Sequence, residues 1–186
     1  LAALRMRLYD AGEGVVWAGG RDVNAVPREE GRFGAVFQNE ALLNDSVYEN
    51  ISFLRNLPRE EVAAAAKTAQ AWDFIQQLSG GLDARLDIRG ANLSGGQRQR
   101  LLIARALAAK PGILILDSAD SALDYRTAAA LHAALRRDFP GVTLAVISER
   151  VASLRDADRI LVLEEGRVAA QGSHEELLES CGRYRR

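Results

Sequence analysis

The sequence is poor in the features that mark secreted and membrane-spanning chains. Its 186 residues include one cysteine, Cys181, so no disulfide can form within the chain, which fits a reducing compartment. The longest strongly apolar runs are Gly112–Leu116 and Val142–Ile147. Because a membrane-spanning helix needs about 20 mostly apolar residues, these short runs predict buried strands instead.

Lysine is scarce as well, since the chain has 22 arginines and only two lysines, Lys67 and Lys110. No G-x-x-x-x-G-K-[ST] phosphate-binding loop is present in the sequence. The formal net charge of −1 leaves no basic excess, which argues against a nucleic-acid partner. With 48% hydrophobic and 26% charged residues, the chain is expected to fold as one domain with its own core.

The most informative stretch, residues 93–100, reads LSGGQRQR. Ser94 lies three residues before Gln97, which is the spacing of a helix capping box, and an apolar helical run follows. Gly95 and Gly96 each cost a helix about 0.5–1 kcal/mol relative to alanine, so we expect them to permit a close approach. Phosphate is the usual ligand of such a helix start. The alternative is a capped surface helix whose glycines have no role.

Strand and helix patterns alternate along the chain. Three short apolar runs, Gly34–Phe37, Ile113–Leu116 and Val142–Ile147, predict strands; the last two are expected to be buried, and Ile113–Leu116 to be covered on both faces. Residues 41–108 are mostly helical, and a second capping pattern, at Ser173, opens a C-terminal helix. This order predicts an α/β core with parallel strands and an inserted helical subdomain.

Polar residues follow two of these predicted strands. Asp117 ends the run Ile113–Leu116, at the place where open α/β sheets bind ligands, and an acid there can hold Mg²⁺ in phosphate chemistry. Gln38 ends the earlier strand in the same way. The alternatives are a helix cap or turn former for Asp117 and an ordinary solvated side chain for Gln38. The segment Ser121–Asp124, SALD, is either a site element or a loop before the next helix.

These motifs, in this order, resemble those of ATP-binding-cassette (ABC) ATPases, and the QRQR ending resembles that of their exporters. The segments Arg7–Gly14 and Ala157–Leu178 also resemble exporter ATP-binding domains, so the resemblance covers essentially the whole chain. It implies a P-loop NTPase-like (RecA-like) core of about residues 1–40 and 109–186, with a helical subdomain of about residues 41–108.

The resemblance also implies ATP and Mg²⁺ as cofactors and a second ABC ATP-binding domain as partner. Each ATP would lie between the strand-end residues of one domain and the LSGGQ signature of the other. Gln38 and Asp117 are then the residues expected to bind Mg²⁺. The residues expected to bind ATP are Gln38, Ser94, Gly95, Gly96, Gln97, Asp117 and Asp124.

Two catalytic positions depart from the family pattern. Ser118 stands where the family has a glutamate that polarises the attacking water, and general-base help is typically worth a factor of about 10²–10⁴ in rate. We do not expect Asp120, two residues on, to replace it. Glu149 stands where the family has a histidine that contacts the γ-phosphate, and a carboxylate about 4 Å from a phosphate charge would cost about 4 kcal/mol at an effective dielectric near 20. The alternative for Glu149 is a solvated loop acid.

The missing phosphate loop is a third departure. Lys67 falls in an alanine-rich helical run and Lys110 precedes Pro111, so neither is expected to serve. The family places this loop just before a helix whose last part resembles Leu1–Tyr9. We therefore expect a fragment, with the phosphate loop and a transmembrane domain upstream, although a protein that lacks the loop is the alternative.

Together these features favour the degenerate subunit of a heterodimeric ABC exporter at the cytoplasmic face of the cell membrane. Its own site is expected to hydrolyse ATP slowly, and its partner is expected to carry the intact glutamate and histidine. Two alternatives are a non-hydrolysing regulatory ATP-binding module and a soluble ABC protein of DNA repair or translation. The absence of basic patches argues against the last.

Overall fold

The computed structural model describes residues 13–18, 20–22, 33–37 and 40–185, which fall into two compact units divided after Ile147. The strands of the first unit are β1 (Trp17–Ala18), β2 (Arg21–Asp22), β3 (Phe33–Val36), β4 (Ile113–Asp117) and β5 (Thr143–Ile147). Its helices are α1 (Val47–Ser52), α2 (Arg59–Thr68), α3 (Trp72–Gln77), α4 (Gly95–Ala108) and α5 (Tyr125–Asp138), with 3₁₀ turns at Gly81–Asp83 and Ile88–Gly90. The second unit contains α6 (Val151–Leu154), β6 (Ile160–Glu164), β7 (Arg167–Gly172) and α7 (His174–Ser180).

The sheet of the first unit is parallel, in the order β3, β4, β5. Val36 pairs with Leu116, and Asp117 pairs with Ile147, so the carboxyl ends of the three strands meet at one edge. This confirms the predicted α/β class with parallel strands. The prediction that β5 is buried is wrong, because none of its residues is buried and Ile147 is 42% exposed. Among the described residues β5 pairs with β4 alone, which leaves its other edge uncovered.

Helix α4 forms the centre of the core of the first unit. Leu101, Ile103 and Ala104 are fully buried, and the helix packs against α1, α2 and β3. A side chain at Gly34 of β3 would lie 3.1 Å from the carbonyl oxygen of Ala106, so the glycine allows the strand to approach the helix. The helix that opens with LSGGQ is therefore also the main packing element of this unit.

Arginine side chains connect α1 to α4. Arg105 donates to the backbone oxygen of Asn50 at 2.8 Å and to its side-chain oxygen at 2.9 Å, and its guanidinium lies 4.6 Å from the ring centre of Phe53. Burial lowers the pKa of Arg105 from its ordinary value. Asn50 itself is fully buried. A planar guanidinium can donate to several carbonyls at once, whereas a lysine ammonium is a point charge, which explains arginine at this junction.

The second unit is a hairpin packed on a short helix. Strands β6 and β7 are antiparallel, and α7 begins with the predicted capping box, in which Ser173 and Glu176 exchange hydrogen bonds. Leu177 and Tyr184 belong to its small core. The Nδ1 atom of His174 lies 3.0 Å from the hydroxyl oxygen of Tyr184. Within the described parts of the chain, no helix has the length and apolar character needed to cross a bilayer.

Candidate functional site

The signature helix begins as the sequence predicts. Ser94 is the N-cap of α4; its hydroxyl accepts from the Gln97 N–H at 3.2 Å, and the Gln97 side chain accepts from the Ser94 N–H at 2.8 Å. Ser94 and Gly95 are exposed, and the first turn contains no acidic side chain. The positive end of the helix dipole therefore faces solvent with no carboxylate in its own first turn, an arrangement that suits an anion.

The two glycines of this turn have different surroundings. A Cβ atom at Gly96 would lie 3.0 Å from the backbone oxygen of Ala122, whereas the nearest atoms to a Cβ at Gly95 would be 3.9 Å away. Gly96 therefore allows the signature turn to pack against the SALD loop of the same chain. Only Gly95 is left without a packing reason inside the described part of the chain. The sequence predicted that both glycines allow a phosphate to approach, which stays a prediction, and it did not predict the contact of Gly96 with Ala122.

The carboxyl end of β4 carries Asp117 and Ser118, both half-buried. Ser118 has φ +53°, and its N–H donates to the oxygen of Ile147 at 2.9 Å, which fixes the strand end to β5. The Ser118 hydroxyl lies 3.5 Å from one carboxylate oxygen of Asp117. Carboxylate and hydroxyl oxygens are hard ligands, so the donor set fits a magnesium ion. The same serine offers no base.

The SALD loop ends at Asp124, which caps α5. Its carboxylate accepts from the Thr127 N–H at 2.9 Å and from the Thr127 hydroxyl at 2.6 Å, and these hydrogen bonds lower the pKa of Asp124. The loop interpretation and the site interpretation are thus compatible, because an exposed cap residue can still face a partner. Asp120 is only 5% exposed. That Asp124 binds ATP stays a prediction. That Asp120 does not replace the missing glutamate as a base also stays a prediction.

Other predicted site residues are not brought together. Gln38 and the helix predicted for Leu1–Tyr9 lie outside the described residues. Glu149 is exposed and belongs to the second unit, and its expected place at the γ-phosphate stays a prediction. Lys67 lies 5.4 Å from the ring centre of Trp72, and Lys110 pairs with Glu61 at 2.9 Å. Each lysine thus contacts a side chain of α2 or α3.

Arg100 contacts the signature turn, and the sequence did not single it out. It donates to the oxygen of Gly96 at 3.2 Å and to the oxygen of Gln70, in the connection between α2 and α3, at 2.6 Å. A local signal was available, because positions 96 and 100 are four residues apart and share a helix face. The contact with Gln70 spans 30 residues and had no sequence signal.

The fold and the signature turn define a nucleotide-binding α/β domain of the P-loop NTPase type. The sequence model of the family described as "ABC transporter" matches residues 1–121, and the chain belongs to this family. The chain is 46% identical to an ATP-dependent lipid A-core flippase of Methylobacillus flagellatus, over 99% of this chain and 32% of the relative. It is 44% identical to the cyclolysin secretion/processing ATP-binding protein CyaB of Bordetella pertussis, over 100% of this chain and 26% of the relative.

A solved structure gives the same result for the fold. A bacterial Atm1-family ABC exporter with ATP bound superposes with a TM-score of 0.93 and 40% sequence identity, over 99% of this chain and 33% of that chain. This likeness confirms the predicted fold class and the resemblance to exporter ATP-binding domains. The chain spans about a third of the length of the flippases that it matches.

Proposed function

We propose that this chain is the ATP-binding domain of an ABC exporter and that it couples ATP binding and hydrolysis at a dimer interface to export of a substrate across a membrane. Membership in the ABC transporter family supports ATP as the cofactor. The named relatives, an ATP-dependent flippase and a secretion protein, support export as the kind of transport.

In this proposal the signature turn acts on a nucleotide held by the partner. The observation that carries it is the exposed, uncrowded start of α4, where Ser94 and Gly95 face solvent and no acid lies in the first turn. Ser94, Gly95, Gly96 and Gln97 would contact the phosphates of ATP bound to a second ABC ATP-binding domain. These four residues match the LSGGQ signature of the family at every position.

The chain's own site is proposed to be degenerate. Asp117, with Gln38, would hold Mg²⁺, and a bound Mg²⁺ neutralises charge on the transferring phosphoryl group. Ser118 cannot accept the proton of an attacking water, because the hydroxyl of serine is not a base near neutral pH. Glu149 places a carboxylate at the position of the family's γ-phosphate histidine. Hydrolysis at this site is therefore expected to be slow.

The rest of the assembly follows from the same reasoning. The partner is proposed to be a non-identical ABC ATP-binding domain with an intact glutamate and histidine, and nucleic acid is not expected to bind. A phosphate loop and a transmembrane domain are proposed upstream in the same polypeptide, with this domain at the cytoplasmic face of the cell membrane. Residues 1–40 and 109–186 are proposed as the core, and residues 41–108 as the helical subdomain.

A Gly95→Asp variant of the full-length protein in its natural assembly tests the role of the signature. An acid at the first position of a helix is favourable for the helix itself, so this chain should stay folded. The same carboxylate would face the partner's phosphates, and a repulsion of about 4 kcal/mol predicts a loss of ATP turnover of about 10³-fold.

The matched control is Gly141→Asp, at an exposed glycine where an added Cβ would have no described atom within 4 Å. It adds the same charge away from the signature and should leave turnover unchanged. Unchanged turnover in Gly95→Asp would show that the signature serves no nucleotide. That result would favour the alternative function, a non-hydrolysing regulatory ATP-binding module. Ser118 is consistent with this alternative, because a serine supplies no base for hydrolysis.

A further inference from the structure

Arg100 joins three parts of the first unit. Its Nε atom donates to the oxygen of Gly96 in the first turn of α4, and one Nη atom donates to the oxygen of Gln70. Its guanidinium carbon lies 4.9 Å from the ring centre of Phe74 in α3, a side chain that is 7% exposed. The planar guanidinium of Arg100 is therefore held between two carbonyl oxygens and an aromatic ring. A lysine could not reproduce this arrangement, because its ammonium is not planar.

The acceptor at Gln70 is held in place by its own backbone. Gln70 has φ +58°, a left-handed conformation that favours glycine, and it reverses the chain between α2 and α3. Its N–H donates to the oxygen of Lys67 at 3.0 Å, and the next N–H, of Ala71, donates to the oxygen of Ala66 at 2.8 Å. Such left-handed residues persist where the surroundings fix them. The Gln70 carbonyl is thus a rigid anchor for Arg100.

Arg100 is linked to the SALD loop through Gly96, whose carbonyl oxygen accepts its hydrogen bond. Burial lowers the pKa of Arg100, and the negative charges of Asp124 and Asp73 oppose that shift. The signature turn also packs directly against this loop, since Gly96 leaves room for the Ala122 carbonyl. Arg100 therefore joins the signature turn to the α2–α3 connection, and the residue that it bonds in that turn, Gly96, is the one that meets the SALD loop.

We propose that Arg100 is a positioning residue that fixes the signature turn against the SALD loop and the α2–α3 connection. The proposal rests on the proposed function, because it assigns Arg100 to the turn that would contact the partner's ATP. Phosphate groups in a transition state must be met within a fraction of an ångström, so a loosened turn lowers the rate of the chemical step. Binding of ATP by the partner's own residues would change little.

The test measures kcat, the KM for ATP and the number of titratable ATP sites in the full-length natural assembly. Arg100→Gln removes both the charge and the planar guanidinium and should lower kcat at least about tenfold, with KM changed by less than about threefold. Arg100→Lys keeps the charge but loses the planar guanidinium, and its kcat should fall between wild type and Arg100→Gln. The number of ATP sites should not change in either variant.

The matched control is Arg59→Gln. Arg59 also donates two hydrogen bonds, both to Asp83, and lies 5.5 Å from the ring centre of Tyr48, but its side chain is 53% exposed. Surface pairs of this type contribute little, so its kcat should stay within about twofold of wild type.

Three results would overturn the proposal. The first is wild-type kcat in Arg100→Gln. The second is full activity of Arg100→Lys, which would make charge alone sufficient. The third is a loss of kcat matched by an equal loss of ATP sites, which would make Arg100 a purely structural residue.

Gly95→Asp measured in parallel separates the two proposals: if it abolishes turnover while both Arg100 variants are active, only the positioning role fails. If Gly95→Asp is active, the signature role fails and the positioning role fails with it.

Discussion

Alanine at the two signature glycines should change stability in opposite directions. Alanine is favoured over glycine in a helix by about 0.5–1 kcal/mol. At Gly95 the added methyl would meet nothing closer than 3.9 Å, so Gly95→Ala should stabilise the folded chain by up to about 1 kcal/mol. At Gly96 the methyl would lie 3.0 Å from the Ala122 carbonyl oxygen, which belongs to the backbone and must shift.

The cost at Gly96 is that of an overpacked contact, typically about 1–3 kcal/mol. After the helix gain is subtracted, Gly96→Ala should destabilise by about 1 kcal/mol, so the two variants should differ by about 2 kcal/mol. Urea unfolding of both variants, compared at equal slope, measures this difference. Equal stabilisation by both alanines would refute the packing of the signature turn against the SALD loop.

Four further changes have expected outcomes. Asn50→Ala should lower the free energy of unfolding by about 3 kcal/mol in urea titrations, because this fully buried side chain accepts from a backbone N–H and from an arginine, and both would lose their acceptor. Ser52→Ala should raise it by about 1 kcal/mol, because the buried Ser52 hydroxyl has no hydrogen-bond partner among the described residues; a loss of stability would show that the hydroxyl is hydrogen-bonded in solution. The pKa of Asp124 is lowered in the folded chain, so the stability it contributes is present above the carboxyl's unfolded pKa and is lost as pH falls through the lower folded value, below about pH 4. Thermal midpoints of Asp124→Asn between about pH 7 and about pH 3 should therefore fall less steeply than those of wild type. Ser118→Glu combined with Glu149→His should raise ATP turnover of the full-length assembly by about 10²-fold or more at this chain's own site, measured with the partner's site inactivated.

Local patterns predicted the elements whose causes are local. The S-x-x-Q spacing placed the start of α4 at Ser94, and the structure has both reciprocal hydrogen bonds there. The apolar run before Asp117 is also a local signal. Four apolar residues in succession fit a strand covered on both faces, and the structure has a buried central strand there. The capping pattern at Ser173 likewise opens a helix. Each of these signals lies within a few residues of the feature it predicts.

Features that depend on distant contacts could not be predicted from the sequence. The burial of β5 depends on which strand pairs with its other edge, and the run Val142–Ile147 carries no information about that neighbour. The reason for Gly96 lies 26 residues further along, in the Ala122 carbonyl. Asn50 and Arg105 are 55 residues apart and look like ordinary polar positions of two helices. Tertiary packing, rather than local preference, selects these residues.

The end of β4 is held by backbone interactions of Ser118. Ser118 is held by backbone features: its φ of +53° and the hydrogen bond from its N–H to the oxygen of Ile147. The next backbone contact, from the Ser121 N–H to the Ser118 oxygen at 3.1 Å, continues into the SALD loop. None of these interactions uses the side chain at position 118. A change of side chain at position 118 is therefore expected to leave these backbone hydrogen bonds in place, and in the proposed function the serine there supplies no base. Under the proposed function, hydrolysis at this chain's own site and the contact of its signature turn with a partner are therefore separable, because the two rest on different interactions.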